Sequence, residues 1–254
     1  MCLLLFSYRS HPRYKLVLAG NRDEFYQRPT APAAFWEDAP HVLAGRDLEK
    51  GGTWMGITRS GRFAALTNYR SPEHNRPDAA SRGFLVSDYL MGKEHPMAYL
   101  TLVQKNKEQY NGFNLLVGNT NGLYYYSPLL DEVTEVTPGI HGVSNAVLDT
   151  PWPKVRKGVQ GISTIMQQES IRERELFTIL ADAEQAGEEE LPDTGVGIEW
   201  ERLLSSLFIA SEEYGTRAMT VFTIDNDNNI MFTEKSLHPI TREWEESQFF
   251  FTAE

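Results

Sequence analysis

Cys2-Leu3-Leu4-Leu5-Phe6-Ser7-Tyr8, then Tyr14-Lys15-Leu16-Val17-Leu18-Ala19-Gly20, then Asn21-Arg22-Asp23-Glu24, is the stretch on which the fold turns. Two apolar runs flank the break His11-Pro12-Arg13, so residues 2–20 read as a hairpin of buried strands. An antiparallel return brings the end of the second strand back toward the start of the first. Asn21 and Asp23 are therefore expected near Cys2. Read alone, the four polar residues after the strand could equally form a solvated turn; the hairpin argues against it.

Cys2 is the only cysteine in the chain. A free cysteine is usually a small buried hydrophobe, yet a chain end seldom lies in a core without a reason. Aminopeptidases readily remove a methionine that precedes so small a residue. Loss of Met1 would leave a thiol and an α-amine, with a reference pKa of about 7.7–8.0, on one residue, so nucleophile and base would arrive together near neutral pH.

The 254 residues hold 24 Lys and Arg against 35 Asp and Glu, a formal charge of -11, which argues against a surface that follows a phosphate backbone and so against nucleic acid as a partner. One cysteine excludes an internal disulfide framework and Cys-x-x-Cys metal or haem-attachment motifs. The N-terminal apolar run has no basic flank and is too short for a signal peptide, and no stretch reaches membrane-spanning length, so a cytoplasmic or organelle-matrix protein is expected. No Pro/Gly/Ser-rich linker divides the chain, which favours one domain over residues 1–254. Metal chemistry lacks a His/Asp/Glu cluster at ligand spacing, and no phosphate loop follows Gly51-Gly52. A close backbone approach explains those glycines better.

Residues 28–40, rich in proline and aromatics, read as an irregular arm. A second hairpin spans Gly51 to Asn68, and helices are expected over Arg82–Met91, with Ser81 as N-cap, and over Pro96–Gln109. Asn121-Gly122 is a strong hairpin signal between Phe113–Gly118 and Leu123–Tyr126. A short strand at Gly139–Asn145 precedes two or three helices over 153–208, with Val155, Val159, Ile162 and Met166 at helical spacing. Strands at Ala218–Ile224, Ile230–Ser236 and Phe249–Phe251 close the chain. Antiparallel hairpins and helices in separate blocks argue an α+β fold, sheet packed on sheet with helices outside: a four-layer αββα sandwich.

Cys2, Asn21-Arg22-Asp23-Glu24, Gly51-Gly52-Thr53-Trp54-Met55-Gly56, Thr67-Asn68 and Gly142-Val143-Ser144-Asn145, in this order, resemble the NRDE family, also called the transport and Golgi organisation protein 2 family. That family in turn resembles the cysteine N-terminal nucleophile hydrolases, a branch that includes choloylglycine hydrolases and penicillin V acylase. The resemblance implies Cys2 as nucleophile and base, Asp23 holding the α-amine, Asn68 and Asn145 as oxyanion donors, and Arg217 as the branch's late arginine. One position departs: the branch has an arginine three residues before the aspartate, and here it is Gly20. Because alternate strand residues face opposite ways, Arg22 is expected to turn away from Cys2.

Two classes of function stay open. One is an amide or thioester hydrolase working through Cys2, with no cofactor required. The other is a non-catalytic protein that carries haem or an acyl-CoA or other lipid in the same pocket, a role with which the resemblance connects the family. Cys2 and the six histidines, His141 and His41 nearest the motifs, are the candidate haem ligands, and Phe35-Trp36, Trp54 and Tyr69 could line an acyl groove. Candidate ligand contacts are thus Asn21, Arg22, Trp54, Tyr69 and His141.

Overall fold

The computed structural model describes residues 2–254, so the expected loss of Met1 lies outside the described residues. Every residue of β1 (Cys2–Tyr8) is buried. Such a strand must be covered on both faces, and two separate cores supply the cover: Leu4, Phe6 and Tyr8 join one, Leu3 and Leu5 another. At about 1.5–3 kcal/mol per buried leucine or phenylalanine, this alternation also fixes the register. A slip of one residue would exchange the two faces.

β1 pairs with β2 (Tyr14–Phe25) as the expected hairpin. It is the centre of a six-stranded antiparallel sheet with β11 (Tyr214–Asp225), β12 (Asn229–Leu237), β13 (Trp244–Thr252) and, on the other side of β1, β10 (Gly139–Val143). A second sheet has seven strands in sequence order: β3 (Thr30–Phe35), β4 (Val42–Asp47), β5 (Met55–Thr58), β6 (Phe63–Asn68), β7 (Phe113–Gly118), β8 (Leu123–Ser127) and β9 (Glu132–Glu135). Side chains of both sheets, such as Leu18 and Phe222 against Ile57 and Leu116, share one core. α1 (Gly83–Met91) and α2 (Pro96–Lys105) cover the second sheet through Leu85, Tyr89 and Leu100. α3 (Pro153–Ile165) and α4 (Glu173–Leu180) cover the first through Val155, Ile162 and Leu176, followed by a short α5 (Ile198–Leu203). Three cores between four layers make the αββα sandwich.

Some local expectations are corrected. The arm at 28–40 contains an edge strand, β3; Pro32 is tolerated there because an edge strand leaves amides without ladder partners. α1 begins at Gly83, and its cap is Arg82, whose side chain makes no capping bond. Gly52 is the reason the backbone can come so close at this point, since a Cβ on it would lie 2.6 Å from the Gly83 carbonyl carbon. α2 ends at Lys105 and gives way to a separate 3-10 turn at Lys107–Gln109.

Candidate active site

The β1–β2 ladder places Cys2 directly opposite Arg22. Residues paired in this way share a face, so Arg22 stands beside the thiol rather than turned from it. The expectation fails because it assumed that Asp23 and Cys2 face the same way. Asp23 and Asn21 instead face the helix layer. There the Asn21 amide donates to the Leu180 and Leu207 carbonyls at 2.8 Å each. Asp23 is 1% exposed and accepts from the Thr216 hydroxyl at 2.8 Å. Its backbone N–H reaches back toward the Cys2 sulfur. Gly20 faces the inter-sheet core, where a Cβ would already meet the Leu3 carbonyl at 2.9 Å. An arginine at that position would not fit.

Burial raises the Cys2 thiol above its ordinary pKa, the Asp23 charge raises it further, and Arg22 opposes both. Burial also raises Asp23, against the pull of Lys154, Thr216 and Arg22. Lys154, at the start of α3, is 2% exposed, its ammonium has no hydrogen-bond partner among the described residues, and burial lowers it to about 8. Asp23 attracts it, and the Cys2 thiolate and Glu201 attract it less. A buried carboxylate and ammonium therefore flank the thiol from the helix side. The sequence gives no sign of Lys154, because lysine in the first turn of a helix is ordinarily solvated.

The thiol borders a cavity of about 320 Å³ between the sheets, open past α1. Trp54, Leu66 and Asn68 share its wall with Cys2. Among the described residues no hydrogen bond occupies the side-chain amide of Asn68, so it can donate into the cavity. Asn145 does not line the cavity: it is 1% exposed, and its amide donates to the Asn68 carbonyl at 2.8 Å. Next to it, the Ser144 hydroxyl donates to the Cys2 carbonyl at 3.1 Å. The Ser144-Asn145 corner thus holds the main chain at both Cys2 and Asn68. Arg217 sits at a bulge between β2 and β11, lines the cavity, and donates to the Phe25 and Arg28 carbonyls.

Tyr69 and His141 lie away from this wall. His141 stacks on Phe6, and both its ring nitrogens are engaged, by Asp149 at 2.7 Å and by the Thr137 carbonyl at 3.0 Å. The carboxylate raises its pKa. His41 is exposed and also outside the cavity. Of the six candidate histidines it is His238 that lines it, with Nδ1 accepting from the Ile240 and Thr241 amides. Sequence reasoning missed Glu234: it is 3% exposed, accepts from the Ala33 amide and the Thr220 hydroxyl, and is raised by burial. Among the described residues no group of three or more His, Cys, Asp or Glu could hold a metal ion, and no helix is long and apolar enough to cross a membrane.

The sequence profile of the family described as Transport and Golgi organisation 2 matches residues 1–239. The chain belongs to this family. It is 36% identical to the mouse Transport and Golgi organization 2 homolog and 34% identical to the human one, in each case over 99% of both chains. The Drosophila melanogaster Transport and Golgi organization protein 2 is 32% identical over 93% of this chain and 92% of its own. Among solved structures, the C2A mutant of a Clostridium perfringens conjugated bile acid hydrolase superposes with a TM-score of 0.53 at 8% identity, over 98% of this chain and 97% of that one. A Caenorhabditis elegans N-acylethanolamine-hydrolyzing acid amidase ortholog gives 0.51 at 9% identity, over 87% and 92%. At such identities the likeness is one of fold: this member of the Transport and Golgi organisation 2 family has the architecture of N-terminal nucleophile hydrolases.

Proposed function

We propose that this protein is a cysteine acyl hydrolase, opening an amide or thioester through Cys2 once Met1 has been removed. The observation that carries the reading is the placement of the one thiol on the cavity wall with Asp23 behind it and the free amide of Asn68 beside it. The α-amine of a processed Cys2 would be a main-chain nitrogen, on the strand axis rather than on one face. A carboxylate on the helix face can therefore serve it while the thiol faces the cavity. Cys2 Sγ would attack the substrate carbonyl carbon and form a C–S bond, its proton passing to the amine. The oxygen, now an oxyanion, would accept from the Asn68 amide, a donor of a kind worth roughly 2.7–4 kcal/mol in the barrier. Collapse would expel the amine or thiol leaving group with that proton, and water would then cleave the acyl thioester and restore the thiol.

A second reading, capture of an acyl lipid or haem without chemistry, draws support from the burial that raises the thiol above its ordinary pKa and from the glycine at position 20. For haem, Cys2 and His238 are the cavity residues that would hold the iron, since both His141 ring nitrogens are engaged.

Intact-mass spectrometry of untagged protein, exposed to acyl-CoA thioesters and N-acyl amides, separates the two. Loss of Met1 and a transient acyl adduct, absent from Cys2→Ala, is the expected result. Retained Met1 with no adduct would leave the binding reading.

A further inference from the structure

The cavity wall runs against the charge of the whole protein. The chain has a net charge of -11, yet the wall carries more arginine and lysine than aspartate and glutamate. Some of that charge is matched: Arg22 and Arg28 face Glu24 and Asp47, and Arg46 faces Asp38. Arg76 and Arg82 are different. Among the described residues neither has a carboxylate partner, and both donate only to backbone carbonyls, Arg82 to Gly112 at 2.9 Å and Arg76 to Glu108 and Tyr110.

Arg82 is also half-buried, and a guanidinium cannot shed its proton to escape the cost of burial. It stands at the cap of α1, whose first turn contains no acidic residue. A helix start favours negative charge, and here it is given a positive one. The Phe84 and Leu85 amides of the first turn already donate to the Ser81 and Arg82 carbonyls, so an anion seated here would be held by the guanidiniums, whose N–H donors suit a carboxylate or phosphate. On the other wall Arg217, 3% exposed, likewise lacks a carboxylate partner, and its Nε has no hydrogen-bond partner among the described residues.

We infer that the ligand of this cavity carries a carboxylate or a phosphate, held by Arg82 and Arg76 beside the start of α1, with its apolar part along Trp54 and Leu66. This rests on the reading of the cavity as the acyl site but not on any turnover there. Arg82 and Cys2 line the same cavity, so a ligand anchored on Arg82 lies in the space that the thiol borders.

The test is binding to the Cys2→Ala protein, which removes the chemistry. Two matched pairs are titrated: octanoyl-CoA against S-octanoylpantetheine, and N-octanoylglycine against N-octanoylethanolamine. One anionic probe should bind at least about tenfold more tightly than its neutral partner, with the preference shrinking as salt rises. A preference in the first pair names phosphate, in the second carboxylate. Arg82→Gln should remove most of it and Arg82→Lys should retain part. If Arg82→Gln fails to fold, Arg76→Gln, on the more exposed side, carries the same expectation. Equal affinities within both pairs, no binding by either anionic probe, or a preference that survives both arginine substitutions would overturn the inference. A charge preference without turnover by the wild-type protein would retain the anion seat and remove the hydrolase; turnover of neutral amides without a charge preference would do the reverse.

Discussion

At the end of β2 the two faces of one strand have different surroundings. Gly20 and Arg22 look between the sheets, and Arg22 is directly opposite Cys2. Asn21 and Asp23 look into the helix layer, both buried. On the first face Arg22 is near water and its carboxylate contacts are long, 3.6 Å to Glu24 and 3.9 Å to Asp47. On the second, burial raises the pKa of Asp23 and Lys154 opposes it. The thiol and the carboxylate that would serve it thus stand on opposite sides of a sheet. The main chain between them is what they share, and the chemistry should depend more on the dry face than on the wet one.

The sharpest way to break this contrast is Asp23→Asn. The amide oxygen can still accept from Thr216, so the fold should hold. Turnover should drop about a thousandfold if the carboxylate serves the amine, while alkylation of Cys2 by iodoacetamide changes little. Unaltered turnover would remove the helix face from the mechanism.

Lys154 gives a smaller effect that can be read without a substrate. Its pKa in the folded protein is about 8 against 10.5 as a free side chain. Between those values the unfolded chain holds the proton more strongly, so stability rises with pH across that window and is flat in this respect below it. The rise attributable to Lys154 should be up to about 3 kcal/mol. Urea denaturation at a series of pH values, wild type against Lys154→Met, measures it as the difference between the two curves. Parallel curves would mean that the amine is hydrated.

What sequence could and could not supply follows the same division. The β1–β2 hairpin and the Asn121-Gly122 turn are local, and both stand where short-range patterns put them. That Asp23 lies near Cys2 follows from the hairpin, whereas Asn68 on the same cavity wall is what the family resemblance implies. Which face each residue takes does not, because it depends on register, and one residue of slip reverses it. β3 was hidden by the prolines in and around it, of which Pro32, inside the strand, is admissible because the strand lies at an edge. Lys154 and Arg82 are ordinary residues at helix starts until α3 closes on β1 and β10 and α1 meets Gly52. Their burial is made by contacts between elements far apart in the chain, and no spacing within the helix records it.

The smallest effect, and the finest test of the two faces, is a pair of neighbours. Asn21→Ala strips two buried carbonyls, of Leu180 and Leu207, of their donor and should cost about 1–3 kcal/mol in stability. Arg22→Ala removes only long, partly solvated ion pairs, worth about 0–1 kcal/mol, but should slow Cys2 alkylation, since Arg22 favours the thiolate. Adjacent residues would then separate stability from reactivity. Should Asn21→Ala instead depress turnover as far as Asp23→Asn does, the helix layer acts as one body, and it is the packing of α4 and the segment at Leu207 against β2, rather than the charge on Asp23, that holds Cys2 in place.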